Sequence, residues 1–276
     1  MKTGIVVAHN TGLGDMIVMN GAIRYLSERY DEVHIVTLDS CAKHIKFIYR
    51  DNPNIRPYFI AKPESTRQAI LRMQAAYYDI VKLNPNIKFT SYKQHYYSSK
   101  FHWDGLVKSL NLPSDTIWQK MFYKILDVPY EARYNNYNIL RNVESEQKLF
   151  DSLELPERYA FVCDEISTHS YSIKKWKTSL KTINPSSFRS GYGPLLSDTI
   201  IFDWNMVIEK ASEIHTVDTC WLHLARMLKL NIPKFYYKTR KVKLSSGSDY
   251  INDIYDSGWS IVIPESGSFT TRIQDR

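Results

Sequence analysis

Several signatures that would assign a chemistry at once are missing from this chain. It has only three cysteines, Cys41, Cys163 and Cys220, far apart and odd in number. They support neither a disulfide framework nor a CxxC metal site, and they point to a reducing compartment. The eight histidines contain no HxxxH or HExxH pairing, so no metal site is expected. There is no P-loop and no GxSxG elbow, and Gly12-x-Gly14 lacks the third glycine of a dinucleotide fingerprint. No apolar run reaches membrane-spanning length, and the chain opens without a basic segment and apolar h-region. The expectation is a cytosolic protein, with work at a membrane surface left open. A dominant charge is missing too: 36 Lys plus Arg face 29 Asp plus Glu, a surplus of 7 with no long basic run. Such a surplus suits anionic ligands but is too diffuse to argue for nucleic acid.

What is present is apolar material, 43% of 276 residues, enough for two small domains or one large one. Ile5, Val6, Val7 and Ala8 form a continuous apolar run suited to a strand buried on both faces of a parallel sheet. After His9, the stretch Asn10, Thr11, Gly12, Leu13 and Gly14 turns the chain into a helix at Asp15, with Met16, Met19, Ile23 and Leu26 on one stripe. Glycines there would let the backbone approach a ligand, and the helix would aim free N–H groups at an anion or polar substrate. Asp15 has two readings at this point, a carboxylate that caps its helix or a catalytic group at the mouth of a cleft.

Strands at Val33 to Leu38, Ile55 to Ile60 and Asp79 to Leu83 alternate with helices at Ala42 to Tyr49 and Glu64 to Ala76, which predicts a parallel, Rossmann-like sheet. Asn84 to Lys100 reads as a long loop, Trp103 to Leu110 and Thr116 to Leu126 as helices, and Pro129 to Asn138 as a polar connection. Glu144 to Leu153 reads as a bridging helix, which places a domain boundary near residue 150, giving domains 1–150 and 151–276. The second half repeats the βα logic: strands at Tyr159 to Cys163, Thr199 to Phe202, Ile214 to Val217 and Lys234 to Tyr237, and helices at Trp204 to Ser212 and Trp221 to Leu228. Ser167 to Lys181 reads as a basic loop and Ser266 to Arg276 as a polar tail that frays.

A second constellation repeats the opening architecture. The strand ending at Val217 runs into Asp218 and Thr219, and a helix begins where free N–H groups can meet a diphosphate. From the residues alone, Asp218 and Thr219 are as well explained as helix caps, and His223, one turn in, as a packed histidine. Hydroxyls and lysines in Ser167 to Lys175 could neutralise a phosphate, or simply form a solvated face.

Gly12-Leu13-Gly14-Asp15, six residues before the small residue Gly21, resembles the N-terminal motif of the heptosyltransferase-like (family 9-like) GT-B glycosyltransferases. Asp218-Thr219-x-x-x-His223-Leu224-Ala225 resembles the D-T-G-x-x-H-L-A segment of the same proteins, in the same order. The resemblance implies a GT-B-like α/β fold of two Rossmann-like domains facing across a cleft, the second compact. It implies a nucleoside-diphosphate-sugar donor held by Gly12, Gly14, Lys175, Asp218, Thr219 and His223. Asp15 would be the general base, and His9, Asn10 and Thr11 would lie on the side of a glycan or glycolipid acceptor. Lys175-Trp176 matches a Lys/Arg-Trp pair of the family, while Cys220 stands where the family usually has glycine. No Asp-x-Asp triplet occurs, which favours metal-free stabilisation of the leaving group, and no cofactor is expected. A non-catalytic binder of glycans or nucleotides on the same fold, and a nucleic-acid module built on the tyrosine-rich loop, are the competing readings. Nothing in the sequence sets the oligomeric state.

Overall fold

The computed structural model describes residues 1–9, 12–95, 118–164, 169–173, 176–185, 199–238, 258–263 and 269–273. These fall into two compact units, one within Met1–Leu140 and the other from Arg141 onward.

The first unit is a parallel sheet of β1 (Lys2–His9), β2 (Glu32–Leu38), β3 (Ile55–Ile60) and β4 (Ile87–His95) in the order β3-β2-β1-β4. Ile5, Val6, Val7 and Ala8 are all buried, as a strand covered on both faces requires. Helices α1 (Leu13–Ser27), α2 (Ala42–Tyr49) and α3 (Thr66–Leu83) connect the strands. Two expectations are corrected here. Asp79–Leu83 is the last turn of α3, not a strand, because Ala69, Met73, Ala76 and Ile80 continue one buried stripe against Val6, Ala8, Val36 and Leu38. Nothing breaks that helix before Asn84, whose side-chain amide closes it by donating to the Ile80 carbonyl at 2.7 Å. The strand therefore starts later, at Ile87, inside the stretch expected to be loop.

Helix α4 (Trp118–Leu126) and the short α5 (Ala132–Asn135) complete this unit, α5 lying within the expected polar connection. A Cβ at Gly21 would lie 2.1 Å from the Ala132 carbonyl oxygen, so only glycine lets α1 and α5 approach this closely. Arg24 ties α1 to the end of α2, with a bidentate pair to Asp51 at 2.8 and 3.2 Å and a bond to the Ile48 carbonyl at 2.9 Å.

The second unit opens with Arg141 and α6 (Val143–Ser152). The Arg141 guanidinium bridges the buried Glu146 of α6 and Glu209 of α7 (Asn205–Glu209), the latter at 2.7 and 2.8 Å. Its parallel sheet contains β5 (Tyr159–Cys163), β7 (Lys181–Ile183), β8 (Glu213–Thr216), β9 (Lys234–Tyr237) and β10 (Ser260–Val262), in the order β10-β9-β8-β5-β7. Helix α8 (Cys220–Met227) follows β8. The strand expected at Thr199–Phe202 is a 3₁₀ turn, Ile201–Trp204, feeding α7, because Asp203 reaches back to the Ile200 N–H at 2.8 Å and nucleates a helical start.

The expected frayed tail is also corrected. Phe269–Ile273 forms β11, antiparallel to β6 (His169–Ile173), so the segment read as a basic loop contains a strand that the C-terminal residues pair with. The helix expected at Trp103 to Leu110 lies outside the described residues.

Candidate functional site

In open parallel sheets ligands bind beyond the carboxyl ends of the strands, where the strand order reverses. In the first sheet the chain moves outward from β1 to β3 and then returns to place β4 on the other side of β1. The reversal therefore lies between β1 and β4, where His9 pairs in register with His95. In the second sheet β5 is followed by β7 on one side and by β8, β9 and β10 on the other, so the reversal lies between β5 and β8. Each reversal point coincides with one of the two motifs singled out above.

Beyond β1, Gly12 is the N-cap of α1. Its carbonyl accepts from Asp15 N at 3.1 Å and Met16 N at 3.4 Å. Its φ of −76° suits any residue, and no atom lies within 4 Å of where a Cβ would stand. Glycine is thus not demanded by the turn; its effect is to leave the helix N-terminus uncovered, where first-turn N–H groups project. Gly14 and Asp15 follow in the first turn, both half-buried. Asn10 and Thr11 lie outside the described residues.

The turn after β2, Asp39–Cys41, belongs to the same place. Burial pushes the Cys41 thiol above its usual range, a hydrogen bond with Ser40 opposes this, and the Asp15 and Asp39 carboxylates add to it. Asp15 and Cys41 are therefore electrostatic neighbours. No motif in the sequence marks this turn; the signal for it is the adjacency of β1 and β2 in a parallel sheet, which sets their carboxyl ends side by side.

Beyond β8, Val217 N donates to the Cys163 carbonyl at 3.1 Å, extending the pairing with β5 to the edge of the sheet. Asp218 and Thr219 follow, both buried, and Thr219 is the N-cap of α8, its carbonyl accepting from Leu222 N at 3.1 Å and His223 N at 3.4 Å. The Thr219 side chain makes no capping bond; its hydroxyl lies 3.8 Å from the Cys220 sulfur. Simple capping therefore does not explain that threonine. His223, one turn further, is buried. Asp164, which follows β5, accepts from Asn184 Nδ2 at 2.7 Å. Asp218, Thr219 and His223 are thus gathered at one strand end, as their spacing implied, while Lys175 lies outside the described residues.

Among the described residues, no group of three or more His, Cys, Asp or Glu side chains is placed to hold a metal ion, and no helix is long and apolar enough to cross a membrane.

No family model matches the chain, and no curated protein matches its sequence. Solved structures do match. A family 9 glycosyl transferase from Veillonella parvula DSM 2008 superposes with a TM-score of 0.56 at 13% identity, covering 96% of this chain and 88% of that one. The ADP-heptose LPS heptosyltransferase II of E. coli superposes with a TM-score of 0.50 at 10% identity, covering 95% and 90%. The chain has the GT-B-like α/β fold of these glycosyltransferases, with two parallel βα sheets.

Proposed function

We propose that the protein is a glycosyltransferase that moves a sugar from a nucleoside-diphosphate sugar to a hydroxyl acceptor, without a metal and with inversion. The observation that carries the reading is the coincidence of two motifs, Gly12–Asp15 and Asp218–His223, with the reversal points of two parallel sheets. The fold shared with known glycosyltransferases supports it at the level of architecture.

In this reading the second unit takes the donor. The first-turn N–H groups of α8, the Thr219 hydroxyl and His223 surround the diphosphate, and Lys175 offsets its charge as it leaves. Asp218 suits a donor hydroxyl. The first unit takes a glycan or glycolipid alcohol near His9, Asn10 and Thr11, with Gly12 and Gly14 leaving room beside the helix N-terminus. Asp15 accepts the proton of that alcohol as its oxygen forms the bond to the anomeric carbon. The bond from that carbon to the diphosphate oxygen breaks with its electron pair on the leaving group. An ADP-heptose donor, as in the name of the E. coli neighbour, is the first to try, and cytoplasmic action fits such a substrate.

One observation favours a second reading. Cys220 takes the place of the family's glycine and engages the Thr219 hydroxyl, which would weaken a phosphate site and leave a protein that binds without turnover. A panel of nucleotide sugars offered to the wild type and to Asp15→Ala separates the two. The enzyme reading predicts release of nucleoside diphosphate by the wild type alone, with binding retained in the variant. Thermal stabilisation by a donor with no release, with or without acceptor alcohols, would establish the binder.

A further inference from the structure

The chain at Trp176 and Lys177 is attached to the second sheet by packing and by hydrogen bonds together. The Trp176 ring meets the Tyr237 ring edge-on, with centroids 4.9 Å apart at 83°, and the His215 imidazole at 6.0 Å and 68°. It packs on the apolar group of Val217, Tyr237 and Val262. The Lys177 N–H donates to the Tyr237 hydroxyl at 2.8 Å, and that hydroxyl lies 3.1 Å from His215 Nδ1. On the other side of the imidazole, Nε2 lies 3.1 Å from a carboxylate oxygen of Glu213, and the Glu213 carboxylate also bonds the Thr178 side chain.

These partners fix the direction of each bond. A carboxylate only accepts, so Nε2 carries a proton; burial favours the neutral ring, so Nδ1 accepts from the Tyr237 O–H. Donation runs from Lys177 N–H to Tyr237, from Tyr237 to His215, and from His215 to Glu213. Strand alternation puts Glu213, His215 and Val217 on one face of β8, the face that Trp176 covers. Val217 is the last residue before Asp218.

We infer that Trp176, Tyr237 and His215 are positioning residues for the Asp218–Thr219 turn: by clamping residues 176–178 onto β8 they hold Val217, and through it the ligand-facing turn. They act through the strand and touch no substrate. The ligand named for that turn, a nucleoside diphosphate, rests on the function proposed above.

Tyr237→Phe is the test, since it keeps the ring and removes only the hydroxyl. Amide exchange followed by NMR should be at least about fivefold faster at Lys177, Asp218 and Thr219, with Ala160 and Phe161 in β5 unchanged. Calorimetry with ADP, UDP and GDP as probes should show the tightest of them weakened about five- to tenfold, the range of one neutral hydrogen bond. Trp176→Phe, which retains an aromatic edge, should keep most of the affinity that Trp176→Ala loses. Acceleration confined to Lys177, with Asp218 and Thr219 unaffected, would overturn the inference. If the wild type binds none of the three nucleotides, the functional reading fails, and exchange at Asp218 and Thr219 still decides the positioning claim.

Discussion

The two units carry the same pair of side chains in different settings. Glu32 and His34 stand two apart on β2, and Glu213 and His215 two apart on β8, each with Nε2 to carboxylate at 3.1 Å. On β2 the carboxylate is shared with Arg56 at 3.0 Å and Lys2 at 3.8 Å, and the imidazole rests edge-on against Phe89. That arrangement neutralises charge at the amino end of the first sheet. On β8 the imidazole stacks on Phe235 at 4.6 Å and accepts a hydrogen bond from Tyr237, which holds a separate stretch of chain. The motif at the end of each sheet differs as well. Beyond β1 it is open, with glycine at the N-cap and a half-buried aspartate; beyond β8 it is closed, with Asp218, Thr219 and His223 all buried. An open carboxylate suits proton exchange with a visiting alcohol, and an enclosed set suits tight holding of a charged group.

The largest expected effect comes from exchanging the two aspartates in turn. Asp15→Asn should lower kcat by roughly 10²- to 10⁴-fold with the donor KM unchanged, the range for losing a general base. Asp218→Asn should mainly raise the donor KM. Steady-state kinetics on both variants reads the split, and equal effects on kcat from the two would erase the division of labour. Next comes Gly21→Ala, whose methyl would meet the Ala132 carbonyl and cost about 3 kcal/mol, near the upper end for overpacking. Urea unfolding followed at β1 and at β5 by hydrogen exchange should show that loss in the first unit only.

A smaller effect is expected with pH. Burial holds His34 and His215 below the ordinary imidazole value of 6.5, with their Glu partners opposing. The unfolded chain then takes up protons first, so this part of the stability is complete above about pH 6.5 and is lost as pH falls below it. Melting curves between pH 7.5 and 5 should show Tm decreasing, and His34→Gln and His215→Gln should each flatten the slope. A slope that steepens in either variant would reverse the sign of that assignment. The smallest effect is Gly12→Ala: ordinary φ and open space favour alanine while the N-cap position favours glycine, so stability should change by no more than about 0.5 kcal/mol, read by urea unfolding, while ligand binding beside α1 weakens.

Much of this was legible in the sequence because the signals were local. Ile5 to Ala8 announced a doubly covered strand, and Asp218, Thr219 and His223 met at one strand end because a turn and a single helical turn set their spacing. What escaped depended on partners far away in the chain. Asp79 to Leu83 looks like a strand until Ala69, Met73 and Ala76 are seen to extend the same stripe. Phe269–Ile273 has no periodic signal of its own and becomes a strand only by pairing with His169–Ile173, almost a hundred residues earlier. The relay from Lys177 to Glu213 could not be read at all, since His215 and Tyr237 meet only through the parallel pairing of β8 and β9, and Trp176 reaches them only by packing its ring on theirs.

The most direct measurement is a crystal structure with the nucleoside diphosphate that binds most tightly. The account predicts its phosphates against the first turn of α8, within hydrogen-bonding reach of the backbone N–H groups that follow Thr219. Phosphates lodged elsewhere, with the Asp218–His223 turn unvisited, would contradict it.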